Sequence, residues 1–321
     1  MDDPRPTSGA RLDELVEIVH QVRAALLARD ESPAGDWVER TAEDLRAGRT
    51  AGWYYPLEPG AGLAFYSLSG AEAYGHVHAS EGPAAVDRAE RLLTVLLDHL
   101  PDPVRTINIG FTGLSPAPEQ ELLERIRPRP GSTVLERMAL ERSLGVDDGR
   151  PIGPVPEGLL HVPIRAVTID ALADLDLRSV QGSVDALLIG ERPEEYRRVI
   201  AALVDGSLGR FLDEASTALF QPDPPRLIGA ILSAERSPHK AIFVAFMVDP
   251  EFRRKGYGSY LFRWGLRALW ALGYQRVHLW VTAANTPARE LYAKFHLEPT
   301  VRSTIYRVSL APGPRQPHSA R

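Results

Sequence analysis

Apolar positions along the chain alternate between two periods, and the order of those periods repeats. Leu12, Leu15, Val16, Val19 and Leu26 recur at helical spacing and predict a helix over about 11–29. A second helix is expected near 36–47. The texture then changes to short, aromatic-rich runs. AGWYYPLE and GLAFYSLS flank Pro59-Gly60 and read as a hairpin, which AEAYGHVHA extends by a strand. Leu92, Leu93, Leu96, Leu97 and Leu100 form one stripe of a helix over 85–100. Strand TINIGFTG, helix APEQELLERI and the extended TVLERMALERSL complete the first half.

The proline-rich GRPIGPVPEG at 149–158 interrupts this pattern and reads as a linker. Beyond it, VPIRAVTI is extended, and helices are expected near 171–188 and 193–204. GRFLDEASTALF, RLIGAILSAE and KAIFVAFMV read as strands, GSYLFRWGLRALWALG as a helix and QRVHLWVTA as a strand. TPARELYAKF is a helix and TVRSTIYRVSL the last strand. Both halves end in the order strand, helix, strand, short helix, strand. The expected fold class is α+β, in two similar tandem units: 1–148, then 159–310 after the linker at 149–158. The polar, proline-rich ends at 1–10 and 311–321 have too little apolar surface to offset ordering entropy, and are expected to be disordered.

Composition narrows the function classes. The chain is 44% hydrophobic and 25% charged, as in soluble globular proteins. A net charge of -5 argues against a general nucleic-acid binder. The absence of cysteine excludes disulfides, thiolate zinc sites and cysteine nucleophiles. No apolar run reaches the ~18–20 residues of a membrane span. MDDPRPTSGA lacks the basic start and apolar run of a secretion signal, so a cytoplasmic location is expected. His76 and His78 share a strand face, but no third ligand is evident, and no metal is expected.

The candidate chemistry lies in two stretches of the second half. PEFRRKGYGSYL sets Arg253, Arg254 and Lys255 before Gly256, Tyr257, Gly258 and Ser259, between an apolar strand and an amphipathic helix. Leu261, Gly265, Ala268, Leu269 and Leu272 mark that helix's inward face. Cations at a helix N-terminus oppose the helix dipole unless an anion offsets them. Free backbone N–H groups and glycines that permit close approach make a polyanion, above all a pyrophosphate, the fitting ligand. The loop has neither a Gly-Lys-Ser/Thr ending nor a third dinucleotide-type glycine. In VTAANTPARELYAKF, Thr286 is the expected cap before Pro287, which leaves Asn285 free for a ligand, and Tyr292 lies on the inward stripe.

Together the two stretches resemble the GCN5-related N-acetyltransferase family. Val248, Pro250, Arg253, Gly256 and Gly258 match its strand and Arg-x-x-Gly-x-Gly loop. Asn285, Ala288, Leu291 and Tyr292 match its Asn-x-x-Ala-x-x-Leu-Tyr segment. His296-Leu297 departs from the family's Gly-Phe. The resemblance implies two acetyltransferase-like units, each a mixed, mostly antiparallel sheet flanked by helices, with catalysis in the second. It implies acetyl-CoA as co-substrate, with the pyrophosphate on the loop. The pantetheine arm would lie along Met247 and Val248 and be held by Asn285, and Tyr292 would protonate the leaving thiolate. Tyrosine, with an ordinary pKa of about 10, suits an acid at neutral pH. The acceptor would be an amine on a small molecule or peptide. AIFVAFMV carries no carboxylate to serve as base, which leaves Glu235 and His278 as candidates, beside a water chain or an already neutral amine. The first half offers EGPAAVDRAERLL where the second has its loop, and Glu124 where the second has Tyr292. It is expected to be a degenerate unit that no longer binds CoA. A non-catalytic CoA-binding or protein-interaction module is the alternative for the whole chain.

Overall fold

The computed structural model describes residues 3–28, 37–69, 72–102, 104–189, 192–206 and 209–310. The tail expected to be disordered, 311–321, lies outside them. In the first half, β1 (Arg5–Pro6), α1 (Leu12–Ala28), α2 (Trp37–Arg46), β2 (Gly52–Tyr55), α3 (Leu57–Gly60), β3 (Gly62–Ser69), β4 (Glu72–Ala79), α4 (Ala85–Asp98), β5 (Thr106–Thr112) and α5 (Pro116–Ile126) lead into β6 (Ser132–Ser143). Then follow β7 (Leu160–Pro163), α6 (Ile169–Val180), α7 (Ala186–Ile189), α8 (Pro193–Val204), β8 (Thr217–Pro222), β9 (Pro225–Ser237), β10 (Lys240–Val248), α9 (Tyr257–Ala271), β11 (Arg276–Thr282), α10 (Thr286–Lys294) and β12 (Glu298–Ser309). Each unit is a mixed, mostly antiparallel sheet with helices packed on it.

The compact units are drawn from Met1–Glu136 with Ser303–Arg321, and from Arg137–Arg302. Neither boundary falls at the proline-rich segment, where the sequence places the linker. Strand pairing decides the division. Residues 137–143 of β6 pair with β11 and so belong to the second unit. Residues 305–309 of β12 pair with β5 and so belong to the first. The 149–158 segment forms neither helix nor strand beyond its first turn. Its first residue is docked rather than free: a Cβ on Gly149 would stand 2.4 Å from the Trp270 ring on α9.

In the first unit β1, β2, β3 and β4 are successively antiparallel. β4 then runs parallel to β5 through seven registered pairs, from Glu72 with Thr106 to His78 with Thr112. The leucine stripe of α4 packs on this sheet. Leu92, Leu93 and Leu96 are sealed against a core that includes Ile107, Ile109 and Phe111. α1 buries Leu15, Ile18, Val19 and Val22 against Val38, Ala42 and Leu45 of α2. Residues 5–10, expected to be disordered, are ordered. Thr7 is buried, with its hydroxyl 3.1 Å from the carbonyls of both Leu45 and Gly52. Trp53, Tyr54 and Tyr55 are core residues.

In the second unit β7, β8, β9 and β10 are antiparallel in turn, β10 is parallel to β11, and β11 is antiparallel to β6. The expected helix over 171–188 is two, α6 and α7, parted at Gly182 with φ 71°. GRFLDEASTALF is a strand only from Thr217. Helix α9 buries Leu261, Phe262, Gly265, Leu266 and Leu269. Gly265 permits a close approach, because a Cβ there would meet Ile231 and Phe243 at 2.9 Å. Leu272, expected on this face, is exposed because the helix ends at Ala271. No described helix is long and apolar enough to cross a membrane.

Candidate active site

The parallel strands β10 and β11 begin together and then part. They pair only at Lys240 with Arg276, Ala241 with Val277 and Ile242 with His278. β10 continues to Val248 and β11 to Thr282 without further pairing between them. A register shift between Phe243 and Ala245 bends β10, as an inserted residue does. The outcome is a wedge, with Met247 and Val248 at its mouth on one side and Thr282 on the other. On its open flank β10 presents backbone groups with no strand partner, a template on which an extended ligand can pair. The Met247 side chain is buried in the core beneath, so only its backbone faces the wedge.

The basic-glycine loop closes this mouth. Gly256 is the N-cap of α9 at φ 86°, a left-handed conformation that glycine adopts without strain. No side chain caps the helix, and no acid stands in its first turn. The first helical bond runs from the Tyr260 N–H to the Gly256 carbonyl, so the amides of Tyr257, Gly258 and Ser259 face outward without helical partners. The three cations have different fates. The Arg253 guanidinium donates to the Val248 carbonyl at 3.2 Å and to the Ser179 carbonyl, so it ties β10 and α6 to the loop rather than facing a ligand. Lys255 rests its ammonium 4.8 Å from the Phe252 ring centroid. Arg254 is exposed at φ 60°. Gly258 lies against Phe246, Val248 and Leu291, so the loop packs on both β10 and α10.

At the start of α10 the geometry corrects the sequence reading. The cap is Asn285, not Thr286: its Oδ1 accepts from the Ala288 N–H at 3.2 Å. Its Nδ2 donates to Asp185, and the Thr282 hydroxyl donates to the same carboxylate. Both ends of the Asn285 amide are therefore engaged within the protein. His296 stands at φ 59°, where the family's glycine would be unstrained, and Leu297 is buried beside it.

Tyr292 is buried between Phe246 and Phe262, with ring centroids 6.2 and 5.4 Å away. Burial pushes its phenol pKa up, the Asp185 charge adds to this, and Arg137 opposes it. The tyrosine therefore keeps its proton at neutral pH. Both proposed bases sit toward the paired end of the strands, away from the mouth at Val248. Glu235 pairs with Ala241, seven residues from Val248, or about 23 Å at strand rise. Its carboxylate is bonded to Arg210 and, at 2.6 Å, to the Tyr274 hydroxyl. The Arg210 bond, then the Tyr274 bond, hold its pKa below the ordinary carboxylate value. His278 is fully buried opposite Ile242, six residues from Val248, or roughly 20 Å.

The structure brings forward three groups that sequence reading missed: Asp185 between α6 and α7, Asp176 on α6, and Arg137 on β6 opposite Thr282. Asp176 had a signal. It shares the helical spacing of Leu172, Ala173, Leu175 and Ser179, the buried face of α6. A carboxylate on an apolar stripe is the anomaly that periodicity can reveal.

Residues 184–297, which span the wedge, the loop and Tyr292, match the family model described as Acetyltransferase (GNAT) family. The chain is similar in structure to a GCN5-related N-acetyltransferase from Sphaerobacter thermophilus, at 16% identity and TM-score 0.64, covering 97% of this chain and 96% of that one. It is also similar to a tandem GNAT protein from the clavulanic acid biosynthesis pathway, at 16% identity and TM-score 0.55, covering 97% and 98%. No curated protein matches it. The match to the GNAT family model is thus confined to residues 184–297, while the fold is shared with these solved structures along nearly the whole chain.

Proposed function

We propose that the second unit is an N-acyltransferase that moves an acetyl group from acetyl-CoA to an amine by direct attack. The observation that carries this reading is the wedge itself, an unpaired strand flank ending at an uncapped, cation-flanked helix start. The amides of Tyr257, Gly258 and Ser259, with Arg254 and Lys255, would bind the diphosphate. The pantetheine arm would pair with β10 at Met247 and Val248, where a backbone N–H also polarises the thioester carbonyl. Tyr292 would give its proton to the departing thiolate. Asn285 and Arg253 contribute by holding the mouth in shape, since their side chains are spent on protein partners. The first unit would be a degenerate copy that binds no CoA. A module that only binds CoA has no use for a buried, protonated tyrosine at the mouth, so the catalytic reading is preferred.

Calorimetry of the full chain tests it. Acetyl-CoA should bind at one site per chain, and CoA release should follow when an amine panel is added. A flat titration across a wide concentration range refutes the assignment.

A further inference from the structure

Asp185 and Arg137 lie within electrostatic reach of Tyr292, Asp176 lies within reach of Asp185, and thioester binding uses none of the three. Asp185 is held by Thr282 and Asn285, which donate to its two carboxylate oxygens. Asp176 is only 8% exposed, and it forms no ion pair among the described residues. Burial, then the charge of Asp185, raise its pKa to about 7, against a smaller lowering by Ser179. The Nε of Arg137 is sealed from solvent without a hydrogen-bond partner among the described residues. Arg137 nonetheless lies close enough to Asp185 and Tyr292 to feel their charges. A buried carboxylate without a cation and a buried guanidinium N–H without an acceptor both cost stability. Such unmatched charges at one mouth are groups that await a ligand of complementary charge.

We propose that the acceptor is an amino acid, an amine that also carries a carboxylate. Its ammonium would face Asp185 and Asp176, and its carboxylate would face Arg137. The inference rests on the acyltransferase reading and supplies the base that β10 lacks. The ammonium gives one proton to the Asp176 carboxylate. The freed nitrogen lone pair attacks the thioester carbonyl carbon. As the carbonyl re-forms, the C–S bond breaks, and sulfur leaves with the bonding pair and takes the Tyr292 proton. The second nitrogen proton returns to the phenolate, directly or through water. The Asp176 proton passes to solvent, so amide, free CoA and one proton result.

The test uses the full-length protein with acetyl-CoA and free thiol as readout. Acceptors are matched pairs differing only in the carboxylate, such as alanine and ethylamine, histidine and histamine, phenylalanine and phenethylamine. β-Alanine and 4-aminobutyrate vary the spacing. The accepted amino acid should exceed its decarboxylated partner at least tenfold in kcat/KM. Arg137→Met should cut the preference for that amino acid over its decarboxylated partner, as the ratio of kcat/KM, at least tenfold, mainly through KM. Asp176→Asn should lower kcat by at least a hundredfold while raising the thermal midpoint at pH 8, where the wild-type carboxylate is buried and charged. Calorimetry with acetyl-CoA on each variant reports folding and donor binding separately.

Equal or better turnover of the decarboxylated amines overturns the proposal. So does an Arg137→Met variant that slows amine and amino acid alike, because the guanidinium then acts on Tyr292 alone. If acetyl-CoA binds but no amino acid is acetylated, this proposal falls while the acyltransferase reading stands. If acetyl-CoA does not bind, both fall.

Discussion

The two units build the same motif to opposite ends. Each has a strand, a crossover helix and a parallel strand, and each helix begins at a left-handed residue, Ala84 at φ 60° and Gly256 at φ 86°. In the first unit the parallel pair zips through seven positions; in the second it parts after three. At the mouth of the zipped pair, the ring nitrogens of His76 and His78 both meet the Thr112 hydroxyl, at 2.8 and 3.0 Å. The helix starts differ in charge as well. The first turn of α4 carries Asp87, and a cavity of about 350 Å³ there is walled by Glu81, Asp87, Glu121 and Arg125. Arg125 is already engaged by Asp87, Glu90 and Glu121. The comparison teaches that one helix-start geometry can face either an acidic, ion-paired cavity or an uncapped, cation-flanked loop. On the proposed reading, a thioester carrier also needs the parted strand pair and the positive loop.

The sharpest break of this comparison is at Tyr292, seven residues after the cap Asn285; seven residues after Ser115, the cap of α5, stands the buried Leu122, not the Glu124 expected from the sequence. Tyr292→Phe removes only the acidic proton from a packed ring. It should lower kcat by about 10²–10⁴-fold, with the acetyl-CoA affinity measured by calorimetry nearly unchanged. Weakened binding with normal turnover would sink the acid role.

That contrast also marks how far sequence alone could see. Local signals were strong at the loop, at α9 and at Tyr292, because basic-glycine spacing and a 3.6-residue period are written in adjacent residues. The parting of β10 and β11 was not legible, since registers between strands depend on partners distant in the chain. The unit boundary failed for the same reason: proline marks a loop, but β6 and β12 are assigned by what they pair with. Glu235 and His278 fit a base by residue type, but a strand's length separates them from the mouth at Val248, a distance that residue type does not carry. Asn285 was seen, but its Asp185 partner, 100 residues earlier, could not be.

The zipped mouth can be probed by pH. Burial lowers the His78 pKa from 6.5 to about 4. In this window the unfolded chain binds a proton that the folded chain refuses, so folding is favoured above pH 6.5. The contribution is lost as pH falls from 6.5 to about 4, a swing of about 3 kcal/mol. Denaturant unfolding at steps across this range should show the slope, and His78→Gln should flatten it by about one proton. An unaltered slope in the variant would assign the titration elsewhere. Among the described residues the second unit has no equivalent pin, so its acetyl-CoA affinity should not follow the His78 substitution.

The smallest expected effect isolates what the shared helix start is for. At Gly256 a Cβ would meet nothing within 4 Å, so the first side-chain carbon clashes with no protein atom. A β-branched side chain still strains the left-handed backbone and stands where a diphosphate would approach. Such strain costs about 1–3 kcal/mol, so Gly256→Val should weaken acetyl-CoA binding by on the order of tenfold or more. Ala84 occupies the same conformation with a Cβ already present. Ala84→Gly should relieve about 1 kcal/mol of backbone strain at most, seen as a slight rise in unfolding free energy, with no change in ligand affinity. If Ala84→Gly instead alters CoA binding, the first unit holds a site of its own. The difference between the units would then be one of degree.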